Sequence, residues 1–355
     1  QKFLAKIRKK GVLLCALECI GKRVAAKDKA NWGKILKKEL DKLLNGIPPQ
    51  IYLKESTANH ANPLKSAIKA IEKGYPSQGL RIKLETPMNW QKYSDKSRNT
   101  RYKVQAWVAM DAVLTYDSLT NNDDMFCLSF AYITDWVNCF IIGDMVDDFS
   151  WYDMAVGQRS TKLSYVIRRA IENNEKIEDI AAIIVTAEVH IRDLMYGKKV
   201  AVHSNHGLFQ MAGLLSLAKL LPFMTSSKKA SDFAMEKIKS MLENHFAEDF
   251  LHKEHSPMYH IYMANYVSLI LDSGFMADSQ DFIKLAKGAI EASKWFAKPD
   301  GMILPFGDTP NIPILDRTHF PLSKYRNRAV SPPGLKYFEK GGLVIHSHYS
   351  KSKKP

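Results

Sequence analysis

Two short stretches of this chain concentrate side chains that move protons and bind anions. The first is His203-Ser204-Asn205-His206-Gly207-Leu208-Phe209-Gln210 and the second is His255-Ser256-Pro257-Met258-Tyr259-His260. Both crowd amides, imidazoles and a phenol at the mouth of strongly apolar helical runs, where packing alone asks for none of them. In the first, Ser204 or Asn205 is placed to cap a helix that begins near Gly207 and ends before Pro222. A helix N-terminus carries unpaired N–H groups and partial positive charge, so Asn205 and His206 there suit a carboxylate or another anion. The structural alternative is an ordinary cap followed by a surface histidine. In the second stretch, Pro257 fits the first turn of a new helix, and His255 and Tyr259, four apart, share one face if that helix includes both. Tyr262 and Tyr266 continue that face as an aromatic core stripe.

Two further segments complete a pattern: Trp151-Tyr152-Asp153-Met154-Ala155-Val156-Gly157-Gln158-Arg159-Ser160, and Gly301-Met302-Ile303-Leu304-Pro305-Phe306-Gly307-Asp308-Thr309-Pro310. In this order the four segments resemble the heparinase II/III-like polysaccharide lyases, a group that includes alginate and oligoalginate lyases, over about residues 100 to 312. The resemblance implies β-elimination at a uronic acid, in which a weakly acidic proton leaves the carbon beside the carboxylate. Asn205 and His206 would neutralise that carboxylate as enolate-like charge develops. Tyr259 would take the proton or protonate the departing glycosidic oxygen, with His255 tuning or sharing that duty. A free phenol has a pKa of about 10, so a base role needs positive charge nearby. Trp151 and Tyr152 are candidates to stack on sugar rings, and Gln158 and Arg159 to hydrogen-bond a uronate. Arg159 reads equally well as the partner of Asp153 in an ion pair that holds the loop. Trp90, after Asn89, is either a cleft residue or a buried anchor for its loop, and Phe306-Gly307-Asp308 reads as a tight turn.

The elements that must position these residues are helices. From Arg101 onward apolar spacing and breakers predict helices over roughly 101–118, 124–142, 160–173, 177–196, 207–221, 229–246, 258–273 and 279–297. Short connections make them stacked hairpins, which with the resemblance becomes a mainly α chain: an incomplete (α/α) toroid with the beginning of a C-terminal β-sandwich. The expected organisation is a basic helical and loop region over 1–98, a toroid over 99–312, a Pro-rich linker over 313–333, and the start of a truncated β-sandwich over 334–355. In that last segment Gly341-Gly342 separates two extended runs. His346 and His348 read as the solvated end of a strand.

Composition bounds the partners. With 51 Lys+Arg against 37 Asp+Glu, the 355-residue chain carries a formal charge of +14, which favours anionic partners. An acidic polysaccharide is expected. Nucleic acid would explain only the charge, since no recognised binding module or zinc-finger spacing is present. Cys15, Cys19, Cys127 and Cys139 sit in apolar helical patterns and read as buried free thiols, without metal or disulfide spacing, and no cofactor is expected. The patch Gly11 to Ile20, after four basic residues, superficially imitates a signal peptide. Glu18 interrupts it and it is too short to span a bilayer, so it reads as an amphipathic helix packed on the main domain and a membrane role is disfavoured. The resemblance implies a periplasmic or secreted setting, whereas the lack of a clear signal peptide leaves a cytoplasmic one open. Two alternatives from other classes stand beside the lyase. One is a non-catalytic glycan-binding or assembly protein, which needs Trp151 and Arg159 but not Tyr259. The other is a toroid hydrolase with Asp153 and Asp308 as its two carboxylates.

Overall fold

The computed structural model describes residues 2–45, 62–298, 300, 302–311 and 332–348. Residues 313–331 of the expected linker lie outside this set, as do Gly301 and most of the expected loop region before Pro63. Thirteen α-helices are present among the described residues: α1 Lys2–Lys10, α2 Val12–Cys19, α3 Trp32–Leu44, α4 Pro63–Lys73, α5 Arg98–Gln105, α6 Asp111–Thr120, α7 Asp123–Val137, α8 Asp153–Glu172, α9 Ile177–Leu194, α10 Asn205–Leu220, α11 Ser227–His245, α12 Pro257–Ser273 and α13 Gln280–Ser293. Two antiparallel pairs, β1 Tyr75–Ser77 with β2 Leu80–Ile82 and β3 Gly334–Phe338 with β4 Leu343–Ser347, are the only sheets among those residues. The chain is therefore mainly α, as its periodicity requires. It divides into two compact units, residues 1–53 with 63–238 and residues 54–62 with 239–355.

The first unit is built around α8, whose residues from Ala155 to Ile171 are all buried. α9 returns alongside it and α10 then packs against α8 again. Asp153 meets His206 at the start of both helices, and one turn later Gly157 meets Phe209 and Gly213. The contact advances in the same sense on each, so α8 and α10 run in the same direction with their N-termini side by side. Two glycines permit the approach: a Cβ on Gly213 would lie 2.2 Å from the Gly157 carbonyl oxygen, and one on Gly157 would lie 2.6 Å from the Phe209 carbonyl.

One predicted helix is broken in two. The run expected over 101–118 stops at Gln105, Trp107 adopts a left-handed φ of 54°, and α6 restarts at Asp111. Burial decides this, because the break drops the Trp107 ring into the core, edge-on to Trp136. The carbonyls left without helical partners are taken by cations of α8: Arg159 Nη1 donates to Gln105 O at 2.7 Å and Lys162 Nζ to Ala106 O at 3.0 Å. Lys162 also pairs with Asp111 at 3.0 Å. Further along α8, the Tyr165 hydroxyl and Arg169 both engage the buried Asp117, at 2.7 and 3.1 Å. α7 continues as a π-helical turn over Asn138–Ile142, and this combined stretch is long and apolar enough to cross a membrane by composition. It supplies core here, with Tyr132, Ile133, Trp136 and Val137 fully buried. The N-terminal segment is two helices rather than one, parted at Gly11 with φ of 88°, and α2 packs on α9. Cys15 and Cys19 are buried as expected, but Cys127 is exposed, because α7 turns that position away from the core.

In the second unit α12 and α13 pack as a hairpin, and Phe338 and Ile345 of the β3–β4 ribbon join Leu251, Ile261 and Phe296 in one apolar cluster. The opposite face of the ribbon exposes Leu335 and Tyr337 beside their cross-strand partners His346 and Val344. Asp249 anchors the turn by accepting from the backbone N–H groups of Lys340 and Gly341 at 2.8 and 2.9 Å.

Gly213→Ala is expected to destabilise the first unit by about 1–3 kcal/mol through overpacking against backbone, read as a lower denaturant midpoint. Gly197→Ala, where a Cβ meets nothing within 4 Å, is the control and should leave the midpoint nearly unchanged. Equal midpoints for the two variants would refute the close crossing.

Candidate functional site

The paired N-termini of α8 and α10 gather a group of polar side chains in the first unit. Ser204, not Asn205, is the cap of α10: its Oγ accepts from the His206 N–H at 3.2 Å. Asn205 is thereby the first helical residue, with a half-buried amide. Gln210, one turn on and buried, pins the preceding loop by accepting from Ala201 N–H at 2.9 Å and donating to Lys199 O at 3.0 Å. The His206 ring donates from Nδ1 to Asp153 Oδ2 at 3.1 Å, which fixes its tautomer; no described residue partners Nε2. Asp153 thus serves His206 and forms no ion pair with Arg159.

Arg159 departs from both roles expected of it. Its side chain is fully buried beneath the rings of Trp107, Trp136 and Trp151, with the guanidinium carbon 4.2 Å from the Trp136 centroid. Nη1 caps α5, Nη2 donates to Ser150 O at 2.6 Å, and Nε donates to His190 Nε2 at 2.9 Å. Burial pushes its pKa down to about 9, so it remains cationic at neutral pH. His190 is held neutral by burial and by that neighbouring charge, with Nδ1 donating to Thr186 O at 2.8 Å. Fully buried, Arg159 presents no donor to a uronate at the surface. Trp90 is likewise an anchor: it is buried, edge-on to Tyr132, and donates from Nε1 to Asp135 at 2.8 Å. Gln158 is buried too, its carbonyl accepting from the Tyr102 hydroxyl at 2.6 Å. Trp151 is half-buried, its ring 5.2 Å from His190, and roofs the Arg159 core.

Tyr152 is the member of this segment that reaches the site. Its ring stands edge-on to His206 at 6.1 Å and to Tyr102 at 6.0 Å. Arg98, which sequence reasoning missed, lies across the same ring at 5.4 Å and donates to the Tyr152 hydroxyl at 3.0 Å. It is exposed, and among the described residues no carboxylate pairs with it. The available signal was Arg98 and Tyr102 four apart in one helix, which places both on one face. An oriented, uncompensated guanidinium thus stands beside two helix N-termini, an arrangement that favours anions.

The second stretch lies in the other unit and is organised differently from its expected form. α12 starts at Pro257 with Ser256 as cap, so His255 precedes the helix, in a left-handed conformation with φ of 53°, and shares no helical face with Tyr259. His255 is exposed and Tyr259 half-buried in the first turn. Thr309 completes this helix start, since its Oγ1 accepts from Met258 N–H at 3.0 Å and lies 2.9 Å from Ser256 Oγ. The turn before it is closed by Thr309 N–H to Phe306 O at 3.2 Å with Gly307 at φ of 57°, and a Cβ on Gly307 would lie 2.8 Å from His255 O. The two motifs are therefore one construction. Asp308 is exposed on it, and Tyr266 is buried core as the stripe predicts. Beneath, His260 donates from Nε2 to Ala289 O at 2.9 Å and accepts at Nδ1 from His252 N–H at 3.1 Å. Burial lowers its pKa to about 4. His252, buried and facing the charges of His260, His245 and His255, is lowered to about 3.

Because the unfolded chain binds a proton on these histidines near pH 6.5 and the folded chain does not, stability should fall as pH drops from about 6.5 towards 4. His260 alone should account for about 3 kcal/mol at the end of that window. Urea midpoints at pH 7 and pH 4.5 test this, with His260→Gln expected to flatten the slope; a wild-type profile without slope there would disprove it.

Comparisons with known proteins agree with this architecture. The family model described as Heparinase II/III N-terminus matches residues 19–318. No curated protein matches. Among solved structures, the heparan sulfate lyase HepC from Pedobacter heparinus superposes with a TM-score of 0.60 at 18% identity, covering 84% of this chain and 49% of that one. A heparinase III superposes with a TM-score of 0.59 at 16% identity, over 84% of this chain and 49% of that one. The chain therefore spans about half the length of the structures it matches, and it shares their fold, that of the helical-toroid heparinases. A match over most of its length places the chain in the heparinase II/III family, as a member carrying that family's N-terminal helical domain.

Proposed function

We propose that the chain is the helical part of a polysaccharide lyase that cleaves a uronic-acid-containing acidic polysaccharide by β-elimination. The observation that carries this reading is the paired N-termini of α8 and α10 with Asn205, the Asp153-held His206 and the uncompensated Arg98 gathered at them. Family membership and the lyase names of the solved structures support it. In this scheme the uronate carboxylate is bound by the Asn205 amide and the His206 ring at the α10 N-terminus, where developing negative charge is stabilised. Tyr259 takes the proton from the carbon beside the carboxylate, the carbon–oxygen bond to the departing sugar breaks as a carbon–carbon double bond forms, and the proton that Tyr259 has taken passes on to the departing oxygen. His255 stands beside Tyr259 in sequence and shares that proton traffic. Tyr152 offers a ring face to the sugar, and Arg98 contacts a neighbouring carboxylate or sulfate. Asp153 is engaged by His206, which disfavours a hydrolase with Asp153 as one of two free carboxylates.

A panel of acidic polysaccharides incubated with the chain should yield one that gains the ultraviolet absorbance of an unsaturated uronate. Tyr259→Phe should lower that rate by at least about 100-fold, and Asn205→Ala by about 100- to 1,000-fold. Arg98→Ala should raise KM more than it lowers kcat. Sugar release without the absorbance would replace the lyase with a hydrolase; binding without cleavage would replace it with a glycan-binding protein.

A further inference from the structure

A cavity of about 680 Å³ opens between α1, α2, the turn that follows α2, and α9. It is separate from the α8–α10 mouth for a geometric reason. His190 on α9 faces α8, where it meets Arg159, whereas Glu188 and Arg192, two residues to either side, line the cavity. Two residues along an α-helix is a rotation of about 200°, so these side chains project from the opposite face of α9. The cavity lies behind α9, away from the residues of the proposed reaction.

Its lining is cationic: Lys6, Lys10, Lys22, Arg23 and Arg192 stand against Glu18 and Glu188. Both acids are already satisfied. Glu18 is shared by Lys6 and Lys10, the latter at 3.3 Å, and although burial pushes its carboxyl up, these two hydrogen bonds hold it below the usual range. Glu188, buried, accepts from Arg192 Nε and Ser226 Oγ at 2.6 and 2.7 Å. Lys22 pairs with Glu39 at 3.0 Å outside the cavity. One ammonium of the Lys6–Lys10 pair is therefore surplus, and Arg23, exposed, has no partner among the described residues. The walls are fixed, because Thr225 holds the end of α2 with two hydrogen bonds to Cys19 O, at 2.8 Å from its N–H and 3.1 Å from its hydroxyl. A Cβ on Gly21, at φ of 77°, would lie 3.1 Å from the Thr225 methyl. Two surplus cations at the rim of a preformed cavity of small-molecule size match a ligand with two or more anionic groups on a compact body.

We infer that this cavity is a second binding site, for a compact ligand bearing two or more carboxylate or sulfate groups, set behind α9 and independent of the α8–α10 mouth. A single small anion would leave most of the volume empty and one of the two cations unmet. The inference stands whether or not the chain cleaves a polymer.

The test is calorimetric titration of the whole chain with a sulfated uronate disaccharide, with a neutral disaccharide and inorganic sulfate as comparison probes. The sulfated disaccharide should bind in two events. Lys10→Ala combined with Arg23→Ala should weaken one of them at least 10-fold without changing the melting temperature, since both side chains are exposed. Arg98→Ala should affect only the other. Titration by the double variant identical to that of the parent chain, full displacement by equimolar inorganic sulfate, or equal binding of the neutral disaccharide would each overturn the proposal. Loss of lyase chemistry in the earlier assay would leave the Lys10- and Arg23-dependent event in place.

Discussion

Gly157 on α8 and Gly213 on α10 bring two helix backbones together at a distance that any side chain would forbid. Because the helices run in the same direction, the close approach aligns their N-termini, and the partial positive charges of both ends add at one place. Asp153 at the first position of α8 and His206 at the second of α10 can meet only because the crossing one turn below sets that register. Asn205, Tyr152 and Arg98 then gather around the same point. The anion-favouring character of this mouth is thus a consequence of backbone packing before any particular side chain is considered.

A second constraint supports the first from beneath. α8 buries four cations that in most helices would face water; Arg168 pairs with Glu172 on its own helix at 2.8 Å, and the other three, Arg159, Lys162 and Arg169, reach beyond it. Each has acceptors: the freed carbonyls of Gln105 and Ala106, the Ser150 carbonyl, and the carboxylates of Asp111 and Asp117. Burial of a charge is costly unless it is paired and hydrogen-bonded, and these residues meet that condition. Through Ser150 and Trp151, Arg159 also holds the loop that delivers Tyr152 and Asp153 to the mouth. It acts on the site from below rather than within it.

How far the sequence discloses this differs by residue. Apolar periodicity and breakers locate most of the helices within a few residues, and the four short motifs identify the family, since both signals are local. The serine before Asn205, the turn at Gly307 and the hairpin at Gly341-Gly342 are local in the same way. Arg159 and Trp90 escape such reading, because an arginine or tryptophan in a loop-and-helix motif looks the same whether it faces a ligand or a core. Their burial is decided by Trp107, Trp136, Tyr132 and Asp135, which lie far away along the chain. The break at Trp107 is hidden for the same reason: the helical pattern runs through it, and only tertiary packing favours a left-handed residue there. His255 and Tyr259 mislead through their spacing, since the four-residue interval means a shared face only inside a helix, and Ser256 starts the helix between them.

The capping of α5 by α8 has a consequence for the order in which the chain can acquire its structure. The carbonyls of Gln105 and Ala106 wait for donors 54 and 56 residues further along. Until α8 arrives, the break at Trp107 leaves polar groups that only water can satisfy, so the tryptophan cannot settle into a dry interior. The cost of closing so long a segment falls before its reward. The native partners of the α5 terminus are thus supplied by α8 alone, and the stability of the one element is tied to the presence of the other.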